Sequence, residues 1–273
     1  MMKILHMLDS LNRGGAETLE LDVCRNAAAQ GLELTFVATG GGDLEEQFRH
    51  SGVEFIRLQR RLPLDPGLVS LLRRIIRERE IQVVHGHQPV EALHLYLATR
   101  GLAVKRVMTL HGTYSGRKNE MALKFLLPRM DARVVVSNDI ASQLSREQGC
   151  DASREFVTVH NGMDPQRLCS AAPRLRSELR LAEDTLLLGK VGNFYADGRK
   201  DQLTVCRALP KVFERMPAAA FVFAGGRSEA APHLFDDCAS FCRAQGISGR
   251  VHFLGKRSDI PDVLRSLDMF VLY

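Results

Sequence analysis

No stretch of this 273-residue chain approaches the ~20 consecutive apolar residues a helix needs to cross a bilayer. The opening run MMKILHML is too short for a secretory signal, and His6 and Asp9 interrupt it, so any membrane contact is expected to be peripheral. No GxGxxG is present, which argues against a dinucleotide-binding dehydrogenase. No GxxxxGK followed by Ser or Thr is present either, which argues against a P-loop nucleotidase. The histidines do not form HExxH and no DxD pair accompanies them, so no metal is assigned. The six cysteines, at 24, 150, 169, 206, 238 and 242, lack CxxC spacing. Cys238 and Cys242 stand four apart on an expected helix, which suits core packing and a reduced, cytoplasmic setting.

What is present is the composition of an ordinary folded chain, 45% hydrophobic and 25% charged, with a formal net charge of +5. The basicity is uneven. Between Arg57 and Arg133 fifteen Lys/Arg face six Asp/Glu, a net of 15 − 6 = +9. A solvated surface explains this; so does a face resting on anionic lipid headgroups or an acidic acceptor. Nothing points to nucleic acid as a partner.

Apolar strand-like runs alternate with helical patterns. KILHML (3–8), LTFVAT (34–39), VEFIRL (53–58), IQVVHGH (81–87), KRVMTLHG (105–112), ARVVVSN (132–138) and FVTVHNG (156–162) read as strands. Between two of them LVSLLRRIIRERE (68–80) reads as a helix with Leu68, Leu71, Leu72, Ile75 and Ile76 on one face. A seam at 163–184 contains Pro165, Pro173 and mixed charge and no strand, and 166–184 are expected to link two domains. The pattern restarts with strands at 186–192, 219–226, 250–255 and 269–273, separated by helices at 201–214, 232–245 and 259–266. Such alternation predicts α/β domains with parallel sheets at 1–165 and 185–273, the second stopping on an uncovered strand and so incomplete.

Ligands of such sheets lie beyond the carboxyl ends of the strands. Gly14-Gly15-Ala16-Glu17 follows the first strand and opens a helix, which makes either a tight turn or an anion-binding loop. His85, His87 and His111 end two further strands, as structural groups or as partners for a sugar hydroxyl or phosphate oxygen. Asn161-Gly162 suits a sharp exit turn. Arg199-Lys200, after Gly192-Asn193 and before a helix, is either a solvated pair or a charge-assisted grip on phosphate. Gly225-Gly226-Arg227 and Gly255-Lys256-Arg257 end the next two strands with further cations.

In their order and spacing GGAE (14–17), TLHG (109–112), VVVSNDIA (134–141), VHNGMD (159–164), VGNFYADGRKDQ (191–202), FVFAGG (221–226) and VHFLGKRSDIPDVLRSLDMFVL (251–272) resemble the retaining, GT-B type glycosyltransferases of family 4, also called group 1. The resemblance runs along nearly the whole chain. It implies two Rossmann-like domains facing a cleft, a glycan or lipid-linked acceptor held mainly by the first and a nucleotide-sugar donor mainly by the second. It implies no metal or other cofactor, transfer with retention by attack on the same face, and a setting in envelope polysaccharide or lipopolysaccharide synthesis at the cytoplasmic membrane face. Lys200 matches the family's diphosphate lysine, Gly14-Gly15 the loop that meets that diphosphate from the other domain, and His111 a histidine near the transferred sugar. The loop from Gly255 to Asp259 matches one bordering the base, which gives Lys256 and Arg257 a donor role; Glu17, His85, His87 and Asn161 fall to the acceptor side or to structure. Two departures stand out. Asn193 occupies a position where the family often has Arg, a charge Arg199 is expected to supply. The family's acidic motif, two glutamates eight apart, would follow MFVLY and is not in these 273 residues. A truncated, non-catalytic binding module is therefore an alternative reading, and a sugar-nucleotide epimerase of the same fold a more distant one.

Overall fold

The computed structural model describes residues 1–112, 117–148, 156–194, 200–228 and 231–272. It divides into two units, Met1–Met163 and Asp164–Tyr273. The first runs β1 (Met2–Leu8), α1 (Gly15–Asn26), β2 (Leu32–Ala38), α2 (Glu45–Arg49), β3 (Glu54–Arg57), α3 (Pro66–Glu78), β4 (Val83–Gly86), α4 (Pro89–Ala98), β5 (Lys105–Leu110), α5 (Arg117–Leu126), β6 (Ala132–Val135), α6 (Asn138–Gln148) and β7 (Val157–Thr158). All seven strands are parallel, in the order β3-β2-β1-β4-β5-β6-β7. The order reverses between β1 and β4, which opens the ligand crevice of this sheet type beyond the ends of those strands.

Alternation along β1 and β2 sorts the core into two layers. Leu5, Met7 and Val37 meet Leu68, Leu72, Ile75 and Ile76 of α3 and Leu95 of α4 on one face. Leu8, Leu34, Phe36 and Ala38 meet Leu21 and Cys24 of α1 and Phe48 of α2 on the other. Each such buried side chain is worth about 1.5–3 kcal/mol. Helix α3 starts where Asp65 accepts from the Gly67 and Leu68 N–H groups, with Pro66 supplying a preset first φ. Leu71, expected on the apolar face, is exposed instead, because the buried stripe runs through 68, 72, 75 and 76 and leaves it at the rim.

The second unit comprises α7 (Gln166–Cys169), α8 (Leu175–Glu178), β8 (Leu186–Val191), α9 (Gln202–Arg215), β9 (Ala219–Ala224), α10 (His233–Ala244), β10 (Val251–Gly255), α11 (Ile260–Ser266) and β11 (Met269–Phe270). Its parallel strands are ordered β10-β9-β8-β11, reversing between β8 and β11. Phe221 and Phe223 pack with Phe194, Phe213, Cys206, Cys238 and Cys242 on one face, so the paired cysteines are core residues. Leu187, Ala220, Val222 and Val263 meet on the other face with Leu175.

Leu175 lies within the segment expected as a linker. The Ala172 N–H donates to Asp262 at 3.0 Å, and Arg176 donates to the Thr185 carbonyl at 2.8 Å and pairs with Asp268. Residues 166–184 therefore form part of the second unit rather than a free connection.

Candidate active site

In the first unit, register places His6 of β1 opposite His85 of β4, and His85 opposite Val107 of β5. Period-two alternation then brings His87, Thr109 and His111 to the same face. Glu20 reaches that face from the buried side of α1. Its Oε2 lies 2.7 Å from His6 Nδ1 and 3.2 Å from His87 Nε2. His6 Nε2 lies 3.2 Å from His85 Nδ1, and the Thr109 hydroxyl 2.7 Å from His85 Nε2. His87 Nδ1 lies 3.1 Å from His111 Nε2, which carries the network to the strand edge. His87 and Glu20 are each 2% exposed.

Burial alone would raise the Glu20 carboxyl, yet the facing His87 and His6 hold it well below the usual carboxylate range. Burial drives His85 well below its ordinary value and His111 down to about 4, so both rings are neutral at physiological pH. One nitrogen from each of His6, His85 and His87 falls within 4.8 Å of the others, a spacing open to a metal ion. The same nitrogens also complete a closed set of hydrogen bonds with Glu20 and Thr109.

Beside this network Asp9, just past β1, takes a fork from Arg60 at 2.7 and 3.2 Å and the Thr39 hydroxyl at 2.6 Å. Glu91, 1% exposed, accepts the Asp9 N–H through Oε1, while its Oε2 is buried with no partner among the described residues. Burial pushes its carboxyl up to about 7. In the loop before α1, Gly14 accepts the Thr18 N–H and hydroxyl at 3.1 and 2.7 Å. Glu17 folds back over Gly14, so a Cβ there would collide with its carboxylate. Burial raises the Glu17 carboxyl, partly offset by a bond from its own N–H. Gly15 is exposed at the helix start, and Asn161 is exposed beyond β7.

The second unit builds a different edge. Gln202, at the start of α9, donates to the carbonyls of Gly192 and Asn193 at 3.1 and 3.0 Å. Asn193 Oδ1 accepts the Gly226 N–H at 2.7 Å, binding the ends of β8 and β9 together. Gly225 sits so close to Gly192 that a Cβ would fall on the Gly192 carbonyl, which requires glycine there. Lys200 lies along Gly192, where an added Cβ would come 3.0 Å from its amine. Lys190, on β8 and 3% exposed, is pulled below its ordinary pKa by burial and by the nearby Lys200 charge. Asp201 caps α9 by accepting the Thr204 N–H at 3.0 Å. Lys256 is exposed next to Gly226. Arg257 is committed to Glu178 and Asp259 with contacts of 2.6 Å to each, which raises its pKa further. Arg199 lies outside the described residues.

Of the residues singled out from sequence, the structure gathers His85, His87 and His111 in the first unit, and Gly192, Asn193, Lys200, Gly225, Gly226 and Lys256 in the second. His6, Glu20, Thr109, Lys190 and Gln202 escaped that reading. His6 and Lys190 interrupt otherwise apolar strands, a signal that was available; Glu20 and Gln202 look like ordinary helix polar residues. The basic window is also partly tied down, with Arg60 on Asp9, Arg79 on Glu54, and Lys105 on Asp131.

Residues 13–167 match the family model described as Glycosyltransferase Family 4, and residues 185–273 match Glycosyl transferases group 1. The chain is 22% identical to N-acetyl-alpha-D-glucosaminyl L-malate synthase of Bacillus anthracis over 95% of its own length and 69% of that protein. It is 25% identical to phosphatidyl-myo-inositol mannosyltransferase of Mycobacterium leprae over 94% of its length and 67% of that protein. Its fold matches Anabaena Alr3699/HepE, solved with UDP and glucose, with a TM-score of 0.79 at 18% identity, covering 99% of this chain and 73% of that one. The architecture is thus that of GT-B glycosyltransferases.

Proposed function

The chain belongs to glycosyltransferase family 4, and on that premise we propose that it takes part in transferring a sugar, with retention, from a nucleoside-diphosphate donor to a glycan or lipid-linked acceptor. The observation that carries the reading is the edge of β8. There Lys200 stands beside the bare backbone of Gly192, at the point where the strand order reverses, with Lys190 buried close by. Lys190 feels Asp201 as well as Lys200, and the exposed Lys200 beside open strand-end backbone favours an anionic ligand. A diphosphate meets that need, and in transfer it gains negative charge as it leaves, so fixed cations stabilise the transition state more than the ground state. The Gly225-Gly226 turn, Asn193 and Lys256 fill out this donor-side surface, with Arg199 adding the charge that Asn193 does not carry.

On the first unit His111 faces the sugar, and Asp9, Arg60 and Glu91 supply polar groups for an acceptor. The reaction uses no metal in this reading: cations and helix N-termini do the work. UDP is the first nucleotide to try, since the HepE structures contain it and the fold is shared. A lipid-linked acceptor draws support from the mannosyltransferase relatives and from α5, where Met121 and Phe125 are exposed beside Lys124. A cytoplasmic, membrane-peripheral setting for envelope polysaccharide or lipopolysaccharide assembly follows from the same reading.

Calorimetric titration with UDP tests it. Binding in the micromolar to millimolar range, weakened at least tenfold by Lys200→Ala, is expected. Equal binding by both proteins would remove Lys200 from the donor site. UDP-sugar hydrolysis or transfer by the chain separates an enzyme from a binding module.

A further inference from the structure

Three donor atoms meet in the buried network of the first unit, each brought by a different element. His6 Nδ1 comes from β1, His87 Nε2 from the residue just past β4, and Glu20 Oε2 from the buried side of α1. The carboxylate oxygen lies 2.7 Å from the first nitrogen and 3.2 Å from the second, and the two nitrogens are 3.4 Å apart. Around a zinc-sized ion with bonds of about 2.0–2.1 Å, neighbouring tetrahedral ligands stand about 3.3 Å from one another. The observed triangle is close to that size. A point about 2.1 Å from all three atoms lies roughly 1 Å off their plane.

The far nitrogens of both rings are in place as well. A ring that gives one nitrogen to a metal carries its proton on the other, and ligating histidines donate that proton to a neighbour. His6 Nε2 has His85 Nδ1 at 3.2 Å, and His87 Nδ1 has His111 Nε2 at 3.1 Å. His85 in turn meets the Thr109 hydroxyl through Nε2 at 2.7 Å. A nitrogen of His85 also falls within 4.8 Å of nitrogens on His6 and His87, but its contact with His6 Nε2 gives it an outer place.

We propose that His6, His87 and Glu20 form a binding site for one divalent transition-metal ion of the zinc class, with His85 and His111 orienting the two imidazoles from behind. Two nitrogens and a carboxylate oxygen select such an ion over Mg2+ or Ca2+, which take oxygen ligands. Any proton held on a donor nitrogen leaves as the ion binds, so the rings need not be neutral beforehand. The ion ties β1, the end of β4 and α1 together, apart from the lysines on which the transfer reading relies. Its work is to stabilise the first unit, not to carry a step of sugar transfer.

Titration of the whole, metal-stripped chain with Zn2+ and Co2+ tests the site. One ion per chain should bind with micromolar or tighter affinity. Glu20→Gln and His87→Ala should each weaken that binding by about tenfold or more. Cys169→Ser and His160→Ala, which remove exposed ligands elsewhere, should leave it unchanged. Bound Co2+ should show visible d–d bands without thiolate charge-transfer absorption, and excess Mg2+ should not remove them. Zn2+ should raise the unfolding midpoint of the parent in urea, and far less that of Glu20→Gln. The parent's Co2+ spectrum needs no variant, so a misfolded His87→Ala does not blunt the test. No tight site in the parent, binding that survives in both ligand variants, a thiolate band or displacement by Mg2+ would each overturn the site. A chain that binds the ion as described but transfers no sugar refutes only the enzymatic reading.

Discussion

At the reversal point of the seven-stranded sheet the strands bring His6, His85, His87, Thr109 and His111 to one face, where Glu20 of α1 meets them; His85 and His111 are half-buried and the others buried. At the reversal point of the four-stranded sheet they carry glycines, an asparagine and two lysines, one of them exposed. The same topology thus carries two different kinds of strand edge. The first unit closes its strand ends into a largely buried hydrogen-bond network. The second strips side chains away from the backbone and brings cations up to it, which suits a multiply charged anion.

The largest effect that would break this contrast is structural. Gly225→Ala places a methyl on the Gly192 carbonyl and should destabilise the second unit by about 3–4 kcal/mol, read as a lower midpoint in urea. If it folds with parent stability, the close approach of the two strand ends is not required. Next, Lys200→Ala should lower kcat/KM of transfer about 100-fold, or ~2.7 kcal/mol, with stability little changed. A loss confined to KM would mean the lysine holds the donor equally before and during transfer.

The buried side of the contrast is sharpened by pH. His111, held near 4 against an ordinary 6.5, is neutral in the fold while the unfolded chain takes up a proton. Its contribution therefore grows as pH rises from 4 to 6.5. Glu91, raised to about 7 from 4.5, keeps a proton in the fold that the unfolded chain has lost, so its contribution falls as pH rises through that window. Each is worth on the order of 3 kcal/mol, and the two nearly cancel. His111→Asn should tilt the stability–pH curve downward with rising pH and Glu91→Gln upward, as followed by denaturant midpoints between pH 4 and 8. Tilts of the same sign would refute the opposed shifts. The smallest effect concerns α5: Lys124→Glu should weaken binding to anionic vesicles by about 1–2 kcal/mol at low salt, vanishing at high salt. Vesicle binding indifferent to salt would remove electrostatics from that face.

Much of the fold was legible because parallel strands covered on both faces must be apolar runs, and LTFVAT and AAFVFAGG are such runs. The glycine pair at the start of α1, the glycines after β8 and β9, and Lys200 were legible too, since punctuation at strand ends is local. Leu71 was misplaced because period alone does not say how wide a helix's buried stripe is. Residues 166–184 looked like a linker because their anchors, Asp262 and Asp268, lie about ninety positions onward.

The sequence by itself determined the alternation of strands and helices, the positions of the turns, and which residue types stand at the strand ends, because these follow from backbone preference and periodicity over a few residues. Only the tertiary structure decided that His6, Glu20, His85, His87, Thr109 and His111 form one network and that Lys190 lies near Lys200. Those partners come from separate strands and helices, and strand order and register, set by the packing of the whole sheet, bring them within hydrogen-bond or Coulomb range.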